Sequence, residues 1–383
     1  MKSSKILGID AMNIRDGGGI THLYEVLNCA TDRTIEFDKI VVWGNDTCLE
    51  QLPNKSWLLK INPLPFKNSY WRSILWQIFL LGRSARKMKC NLLFIAGGSA
   101  ITSFRPKVTI CHNMLPFSPK AIKLYPYGRH HIKILMLHFI QLYTFRRVDG
   151  LIFLSKWAQE QILPLLSKSD VKSAVIPHGI SQEFKFPNRV HRVITECTNE
   201  NPFTLIYVSR IEPYKNQLQV IEAFDKLRKE SGWNIQLKII GLASDKQYFK
   251  LLNEKLQQID PNGHYINYVG PVPYEKLGSY YCQADMGIFA SSCENMPIIL
   301  LEKMASGLPL ICSNIQPMPD YLKDAGIYVD VSSVDKLQQS IRSLILDIDA
   351  RTFFSHNGVE LVQKYSWQNS SLFTFQMLFK MVN

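Results

Sequence analysis

The sequence lacks the patterns that mark several common functional classes. Its eight cysteines form no CxxC pair and no zinc-ligand spacing, which favours reduced, buried thiols over a disulfide framework. Neither GxGxxG nor GxxxxGK(S/T) occurs, which argues against a dinucleotide-dependent oxidoreductase and an NTP hydrolase. No window of eighteen residues is uninterruptedly apolar, and MKSSKILGID at the start lacks a signal-peptide core. We therefore expect a protein that works inside the cell or on the inner surface of its membrane.

Acidic residues are also absent from one long segment. Between Glu50 and Asp149 there is no aspartate or glutamate, whereas those 98 residues hold sixteen lysines and arginines. The segment carries +16, and because the formal net charge of the chain is +12, the remainder carries −4. A solvated protein surface normally mixes both signs. Charge of one sign favours a polyanionic partner: nucleic acid, an anionic lipid surface or a phosphorylated substrate.

Short β-branched segments alternate with amphipathic helical segments along the whole chain, which indicates parallel sheets covered on both faces. Strands are predicted at 5–10, 39–44, 91–96, 107–112, 150–155, 173–179, 204–209, 235–241, 266–270, 286–291, 308–313 and 326–330. We predict an α/β protein of two Rossmann-like, doubly wound domains facing a central cleft. Their expected bounds are 1–190 and 191–355, with a helical segment at 356–383 packing back on the N-terminal domain.

Two cations follow the first strand of the second domain. In LIYVSRIEPYKNQLQ, the strand ends at Ser209, and a loop with Arg210 and Lys215 leads to a helix that starts near Asn216. Two cations beside the positive end of a helix fit a phosphate or oxyanion site. Two ordinary surface cations are an equally weighted interpretation.

The segment SSCENMPIILLEKMASGLPLI (291–311) places two carboxylates in an otherwise apolar stretch. Pro297 fits the first position of a helix and Gly307 the residue just past its end. Glu294 would then precede this helix, and Glu302 would lie on it. Buried carboxylates need partners. A ligand rich in hydroxyl groups would satisfy them, and pairing with a protein cation is the less favoured interpretation.

In combination, these motifs resemble the retaining glycosyltransferases of family four, which have the GT-B fold. The shared features are Ser209-Arg210 with Lys215, the E-x7-E pair of Glu294 and Glu302, INYVGPVPYEKL before ADMGIFAS, GGG at 17–19, DGLIFLS at 149–155, AVIPHGIS at 174–181 and YSW at 365–367. The resemblance covers nearly the whole chain and is strongest from 203 to 330.

The resemblance implies a nucleotide-sugar donor, linked to UDP or GDP, and roles for particular residues. Arg210 and Lys215 would stabilise the departing diphosphate. Glu302 would hold the ribose hydroxyls, and Glu294 would contact the transferred sugar. The other implied donor contacts are Gly18 and Gly19 of the glycine run, Ser209, Asn295, Met296, Pro297, Ile298 and, beside the base, Val272.

His112, at the end of a strand in CHNMLPF, resembles a family histidine near the reacting carbon. A structural histidine with satisfied hydrogen bonds is the alternative. One departure from the family lies after Glu294, where many members read Glu-Gly-Phe-Gly and this chain reads Glu-Asn-Met-Pro. Because proline has no N–H, Pro297 cannot donate to phosphate or sugar.

We expect no metal, because two cations would neutralise the leaving diphosphate. An Asp-x-Asp pair occurs at Asp347 and Asp349, near the end of a predicted helix. We interpret it as a solvated helix end and not as a metal site.

Two segments of the acid-free region mix aromatic, aliphatic and basic residues: YWRSILWQIFLLGRSARKMK (70–89) and HHIKILMLHFIQLYTFRR (130–147). Basic amphipathic helices suit an anionic membrane surface, and ordinary sheet-covering helices are the alternative. We expect this domain to rest on the inner face of the cytoplasmic membrane and to receive a lipid-linked glycan acceptor.

The sequence thus favours a metal-independent, retaining hexosyltransferase of surface polysaccharide biosynthesis, of the O-antigen or capsule type. A nucleotide-sugar epimerase of the same fold is the closest alternative, although it would not need a basic, apolar domain. A nucleic-acid-binding protein would need a base-stacking or groove-reading module, and none is recognisable. An inert sugar-nucleotide-binding scaffold would not need both cations and both glutamates.

Overall fold

The computed structural model of the chain describes residues 4–15, 17–31, 34–64, 70–166, 171–186 and 189–382. It consists of two compact units. Unit 1 comprises Met1–Pro119, Pro126–Gly179 and Tyr365–Asn383, and unit 2 comprises Lys120–Tyr125 and Ile180–Lys364. Lys67 of the basic segment lies outside the described residues, as do the side chains of Tyr70 and Trp71.

Strands and helices alternate through both units. The strands are β1 (Ile6–Ala11), β2 (Lys39–Gly44), β3 (Leu58–Ile61), β4 (Leu92–Ile95), β5 (Lys107–Cys111), β6 (Gly150–Phe153), β7 (Lys172–Val175), β8 (Phe203–Val208), β9 (Ile235–Ile240), β10 (Ile266–Gly270), β11 (Met286–Phe289), β12 (Leu310–Ser313) and β13 (Gly326–Val329). The helices are α1 (Gly18–Asn28), α2 (Asp46–Gln51), α3 (Tyr70–Trp76), α4 (Gly82–Lys87), α5 (Pro119–Ile122), α6 (Arg129–Phe145), α7 (Lys156–Ile162), α8 (Gln217–Ser231), α9 (Lys246–Ile259), α10 (Leu277–Gln283), α11 (Ile298–Ala305), α12 (Met318–Leu322), α13 (Val334–Leu346), α14 (Ile348–Val362) and α15 (Trp367–Lys380), with a π-helix (Gln77–Leu81) between α3 and α4.

Each unit contains one parallel sheet in doubly wound order. The seven strands of unit 1 are arranged β3-β2-β1-β4-β5-β6-β7, and the six of unit 2 are arranged β10-β9-β8-β11-β12-β13. Adjacent strands are parallel throughout both sheets. The predicted α/β class with two Rossmann-like domains is confirmed. All twelve predicted strands occur within a few residues of their expected bounds.

The strand that the sequence analysis missed is β3. It is four residues long, forms one edge of the unit 1 sheet, and is only partly buried at each position. An edge strand packs on one neighbour, so its sequence needs less of the apolar, β-branched character that identifies a central strand. The charged Lys60 within LLKI weakens the apolar pattern further.

The division between the units differs from the expected bounds at 190 and 355. Residues after Gly179 belong to unit 2 because they pack there: the ring of Phe184 lies 5.1 Å from that of Tyr274 and 5.8 Å from that of Tyr281. The helix α14 also belongs to unit 2, where Gly358 packs on Met304 of α11. The C-terminal return to unit 1 therefore begins at Tyr365 and not at 356.

Within unit 1, the helix α15 packs on α1 and on the loop that precedes β2. The Ser371 hydroxyl donates to the Val26 carbonyl at 2.7 Å, and the rings of Phe37 and Phe379 lie 5.8 Å apart. Among the residues that the structure describes, no helix has the length and apolar character needed to cross a bilayer.

Substitution of Gly179 tests how closely its backbone packs against the start of α15. A Cβ at Gly179 would lie 2.0 Å from the Trp367 backbone nitrogen, so Gly179→Ala forces backbone movement. We expect the free energy of unfolding of unit 1 to fall by about 3 kcal/mol. Gly128→Ala is the control, because the nearest atom to its added Cβ is 4.0 Å away. Equal melting temperatures for the two variants in thermal denaturation would contradict this packing.

Candidate active site

The unit 2 sheet brings the loops that carry the predicted site residues to one place. The strands β8 and β11 are neighbours, and the strand order reverses between them. In doubly wound sheets, ligands bind beyond the carboxyl ends of the strands at such a switch point. The loop after β8 carries Ser209, Arg210 and Lys215, and the loop after β11 carries Glu294 and Asn295. Topology alone therefore makes this edge of the sheet the candidate site.

The side chain of Asn216 joins these two loops. Its backbone is left-handed, with φ 57°, at the N-terminal cap of α8. Its amide nitrogen donates to the Ala290 carbonyl and to the Ser292 hydroxyl, both at 2.6 Å. The Ser292 backbone N–H donates to the Tyr214 carbonyl at 2.8 Å. Asparagine tolerates the left-handed region better than most residues, so one residue both turns the chain into α8 and fixes the neighbouring loop.

Lys215 and Glu294 form a buried ion pair across the two loops. The Lys215 ammonium donates to Glu294 Oε1, and the side chains are only 7% and 15% exposed. The ammonium also lies 4.8 Å from the ring centre of Tyr214 and 6.0 Å from that of Phe289. Pairing with a protein cation, the interpretation less favoured from sequence, is thus what the structure shows for Glu294. The pair holds the ammonium at the switch point, where an anionic ligand would meet it.

Ser209 and Arg210 are fixed by a buried glutamine. The Gln217 side-chain nitrogen donates to Ser209 Oγ at 2.9 Å and to the Arg210 carbonyl at 2.7 Å. The Arg210 side chain is 43% exposed, and its Nε donates to the Ser244 hydroxyl at 2.7 Å. Ser209 therefore shapes the loop, while the Arg210 guanidinium retains exposed surface that a ligand can contact.

The loop after Glu294 leads directly into α11. Asn295 and Met296 are buried. The sequence predicts Pro297 as the first helical residue, but it occupies the N-cap and the helix begins one position later, at Ile298. The Ile298 N–H donates to the Met296 carbonyl at 2.9 Å, so this implied donor contact already has a backbone partner. At the other end, Gly307 ends the helix as predicted, with φ 67°. Its N–H bonds to the Met304 carbonyl at 3.0 Å, and that of Leu308 bonds to the Lys303 carbonyl at 3.1 Å, as in a Schellman motif.

Glu302 is buried on α11 and meets hydroxyl groups of the protein itself. It is 1% exposed, and its carboxylate accepts hydrogen bonds from Tyr274 at 2.8 Å and Tyr281 at 3.4 Å. Burial raises the pKa of Glu302 to about 7, although both hydroxyls favour the ionised form. The partly buried Val272 lies two residues before Tyr274, in the loop after β10. Glu302 thus has the hydroxyl partners expected from the sequence, but they belong to two tyrosines of the protein and not to a ligand.

Lys303 is a second buried charge on α11, which the sequence analysis did not identify. It is fully buried, and its ammonium donates to the Ile288 carbonyl at 2.6 Å. The ring centres of Tyr207 and Phe289 lie 5.4 Å and 5.7 Å away. Burial lowers the pKa of Lys303 to about 7. The sequence does contain a signal for this buried charge, because Lys303 lies in a helix that is apolar on nearly every side.

In unit 1, His112 follows β5 as predicted and lies in a cluster of buried rings. The ring of His22 lies 5.1 Å from that of His112 and 4.8 Å from that of His178, and Trp367 of α15 packs on both His22 and His178. The His22 and His178 Nδ1 atoms are 2.9 Å apart, so one donates and the other accepts. Burial lowers the pKa of His112 to about 4, which makes the imidazole neutral at pH 7. His22 and His178 lie in GGGITH and AVIPHG, two motifs shared with the family that predict no role for either histidine.

The glycine run of unit 1 has one conformational requirement. Gly17 has φ 68°, a left-handed conformation that favours glycine. A Cβ at Gly18 would have no described atom within 4 Å, and one at Gly19 would be 3.5 Å from Ile14 Cγ2. The backbone at Gly18 and Gly19 is therefore approachable, as a ligand contact requires.

The Asp-x-Asp pair takes part in helix capping. The Asp347 carboxylate accepts the Ala350 N–H at 2.8 Å at the start of α14, and Asp349 is exposed. Across the described ranges of the chain, no group of three or more His, Cys, Asp or Glu residues has an arrangement that could hold a metal ion.

Glu302→Gln tests the cost of burying this carboxylate. Because the folded state raises the pKa of Glu302 from 4.5 to about 7, folding favours the protonated form, and wild-type stability falls as the pH rises through that interval. The variant lacks this loss, so above about pH 7 we expect it to be more stable than wild type by roughly 2–3 kcal/mol. Thermal denaturation at about pH 5 and about pH 8 measures the difference. The exposed Glu275→Gln is the control, and a gain for Glu302→Gln that does not grow with pH would contradict the expectation.

Part of unit 2 is similar to a known protein family. Residues 195–360 match the family described as glycosyl transferases group 1. The chain is 28% identical to O-antigen chain mannosyltransferase B of Escherichia coli, over 43% of this chain and 42% of that protein. It is 32% identical to alpha-monoglucosyldiacylglycerol synthase of Streptococcus pneumoniae, over 43% of this chain and 37% of that protein. The matched segments thus span less than half of these relatives.

Solved structures resemble the chain over almost its full length. Sucrose-phosphate synthase from Thermosynechococcus elongatus has a TM-score of 0.73 at 18% identity, covering 98% of both chains. Anabaena Alr3699/HepE in complex with UDP-glucose has a TM-score of 0.71 at 17% identity, covering 99% of this chain and 100% of the other. The fold is therefore GT-B, and residues 195–360 are similar to the glycosyl transferases group 1 family.

Proposed function

We propose that the protein is a retaining glycosyltransferase that moves a sugar from a nucleotide-sugar donor to an acceptor hydroxyl. The observation that carries this proposal is the buried Lys215–Glu294 pair at the switch point of unit 2, with Arg210 beside it on the same loop. The structural neighbour Alr3699/HepE is described in complex with UDP and UDP-glucose, which supports the donor class.

The first step of the proposed mechanism is diphosphate binding. The Lys215 ammonium is held by a carboxylate and two rings, so little reorganisation is needed when a phosphate oxygen approaches. The exposed Arg210 guanidinium offers further N–H donors to the same diphosphate. As the sugar–phosphate bond breaks, negative charge grows on the leaving oxygen, and both cations stabilise it. In the proposed reaction Lys215 and Arg210, each shared with a protein carboxylate, take the place of a metal at the diphosphate.

The sugar and the ribose are assigned to the two glutamates. Glu294 would share its carboxylate between Lys215 and a sugar hydroxyl, with the backbone of Asn295 and Met296 beside it. Each carboxylate oxygen accepts two hydrogen bonds, so a ribose hydroxyl can join or replace Tyr274 on Glu302. Because Glu302 is 1% exposed, donor binding would require the loop with Val272 and Tyr274 to shift.

Retention requires the acceptor hydroxyl to attack the anomeric carbon on the face that the diphosphate leaves. The family resemblance implies that His112 acts near the reacting carbon, and its neutral imidazole can accept or donate a hydrogen bond without adding charge. Its Nε2 is buried and has no hydrogen-bond partner within the described part of the chain. Gly18 and Gly19 would allow the backbone to approach the donor.

For the acceptor we propose a lipid-linked oligosaccharide at the inner face of the cytoplasmic membrane, in surface polysaccharide biosynthesis. The acid-free segment with sixteen cations supports an anionic lipid surface as a partner. The matched relatives are named as enzymes of an O-antigen chain and of a glucosyldiacylglycerol, which supports a lipid-bound acceptor. A nucleotide-sugar epimerase would not require this surface.

A thermal-shift panel of UDP-, GDP-, ADP- and dTDP-sugars tests the donor class, because a ligand that binds the folded state raises apparent stability. Arg210→Ala removes a charged contact to the diphosphate, so we expect about 10- to 100-fold weaker binding of the stabilising nucleotide. Lys215→Ala should weaken it at least as much, and its shift is compared with its own ligand-free melting temperature because Glu294 loses its partner.

Arg342→Ala on α13 is the matched control and should keep the wild-type shift. Stabilisation by none of the nucleotide sugars, or a shift that is unchanged in both Arg210→Ala and Lys215→Ala, would argue against the proposed function.

A further inference from the structure

The helix α6 exposes a continuous apolar stripe. Its exposed apolar residues lie three, four and seven positions apart, along one side of the helix: Ile132 (57% exposed), Leu135 (40%), Met136 (47%), Phe139 (68%) and Tyr143 (41%). The opposite side, with Ile134 and Phe145, is buried in unit 1. Exposed apolar residues are common one at a time, but a stripe along more than two helical turns is typical of a surface that is covered by a partner.

The segment between β3 and β4 has the same character. Four consecutive or near-consecutive apolar residues are exposed there: Leu75 (54%), Ile78 (36%), Phe79 (61%) and Leu80 (46%). Three of them lie in the π-helix. The chain passes from β3 to β4 and from β5 to β6 in the same direction across the sheet. Because such crossovers are right-handed, this segment and α6 lie on the same face of the unit 1 sheet.

The charged residues within the two apolar segments are all basic. The exposed cations beside the two apolar groups are Arg72, Arg83, Arg86, Lys87, Arg129, Lys133, Arg146 and Arg147, and all of them fall in the segment without acidic residues. A second copy of the chain would bring a like-charged face, so self-association through this surface is disfavoured. Nucleic acid would match the charge but not aliphatic side chains such as Ile132 and Leu75. An anionic bilayer matches both features.

A small cavity at the C-terminal end of α6 combines the two features. It has a volume of about 380 Å³ and is lined by Phe139, Leu142, Tyr143, Arg146 and Arg147. The Arg147 guanidinium stacks on the Tyr143 ring at 4.6 Å, and Arg146 Nη2 donates to the Leu165 carbonyl at 2.8 Å. Each arginine keeps further N–H groups, because a guanidinium carries five. A cavity lined by apolar side chains and two arginines suits a lipid phosphate together with the start of its acyl chains.

We propose that the face of unit 1 formed by α6 and the π-helix docks on an anionic phospholipid bilayer, with the Arg146–Arg147 cavity taking a lipid phosphate. The apolar stripe enters the acyl boundary, and the flanking cations meet the headgroups. This deepens the proposed function by naming the surface that would present the enzyme to a membrane-borne acceptor, and it rests on that function only for the identity of the acceptor.

Vesicle flotation of the full chain tests the proposal, with vesicles of phosphatidylcholine alone or mixed with phosphatidylglycerol. Wild type should float with the anionic vesicles only, and less so at high salt. Phe139→Ser should reduce the fraction bound to vesicles about tenfold, because the variant loses an aromatic side chain that would be buried in the bilayer. Arg147→Gln should reduce it about fivefold, as expected for one cation near the headgroups.

Two matched controls keep these outcomes specific. Phe373→Ser removes a phenylalanine of α15 that is 48% exposed, and Lys39→Gln removes an exposed charge at the start of β2. Both should float as wild type does. Floating that is equal for Phe139→Ser and Phe373→Ser, or equal on the two vesicle types, would overturn the proposal. So would a dimer that Phe139→Ser converts to a monomer, since the face would then be a protein interface.

The same variants separate this inference from the proposed function. Phe139→Ser and Arg147→Gln should retain the wild-type thermal shift with the nucleotide sugar, because their positions lie in unit 1 and the proposed cations Arg210 and Lys215 lie in unit 2. A wild type that binds the nucleotide but no vesicles contradicts the docking surface and leaves the proposed transfer of a sugar from a nucleotide-sugar donor intact. A wild type that floats but binds no nucleotide contradicts the proposed function alone.

Discussion

The hydrogen bonds of the Asn216 side chain are the constraint on which the candidate site depends. Together with the hydrogen bond from the Ser292 N–H to the Tyr214 carbonyl, they join the loop after β8 to the loop after β11. These contacts bring together Lys215 and Glu294, which lie 79 positions apart in the sequence. An ion pair removed from water is favourable only when its geometry is held. A left-handed residue with a short amide side chain supplies that geometry at the point where the strand order reverses.

Three buried charges around the candidate site of unit 2 are satisfied in three different ways. Lys215 has a carboxylate, Glu302 has two tyrosine hydroxyls, and Lys303 has a backbone carbonyl between two aromatic rings. Of these three, only Lys215 forms an ion pair. An incoming anion would therefore share the Lys215 ammonium with Glu294. The binding of a diphosphate at Lys215 would therefore redistribute an existing interaction, whereas Lys303 is fully buried and its ammonium lies 5.7 Å from the centre of the Phe289 ring.

The sequence was sufficient for the fold because apolar strands separated by helices admit few parallel arrangements, and the strand ends that carry Arg210 and His112 follow from that pattern. The sequence was not sufficient to predict which side chains contact each other in the site. The contact between His22 and His178 joins residues 156 positions apart, and Glu302 meets tyrosines 28 and 21 positions away. Such pairs depend on side-chain directions that periodicity does not encode. β3 was missed for a simpler reason: a partly buried edge strand of four residues does not need an apolar pattern.

Glu302 and Lys303 are adjacent on α11, and burial shifts their pKa values in opposite directions to about 7. Below that pH the carboxyl is neutral and the amine is charged, and above it the carboxylate is charged and the amine is neutral. The pair thus carries a net positive charge on the acid side of neutrality and a net negative charge on the alkaline side. The buried charge of a helix that begins at the candidate donor loop therefore depends on pH near neutrality, and so does its contribution to the electrostatic potential at that loop.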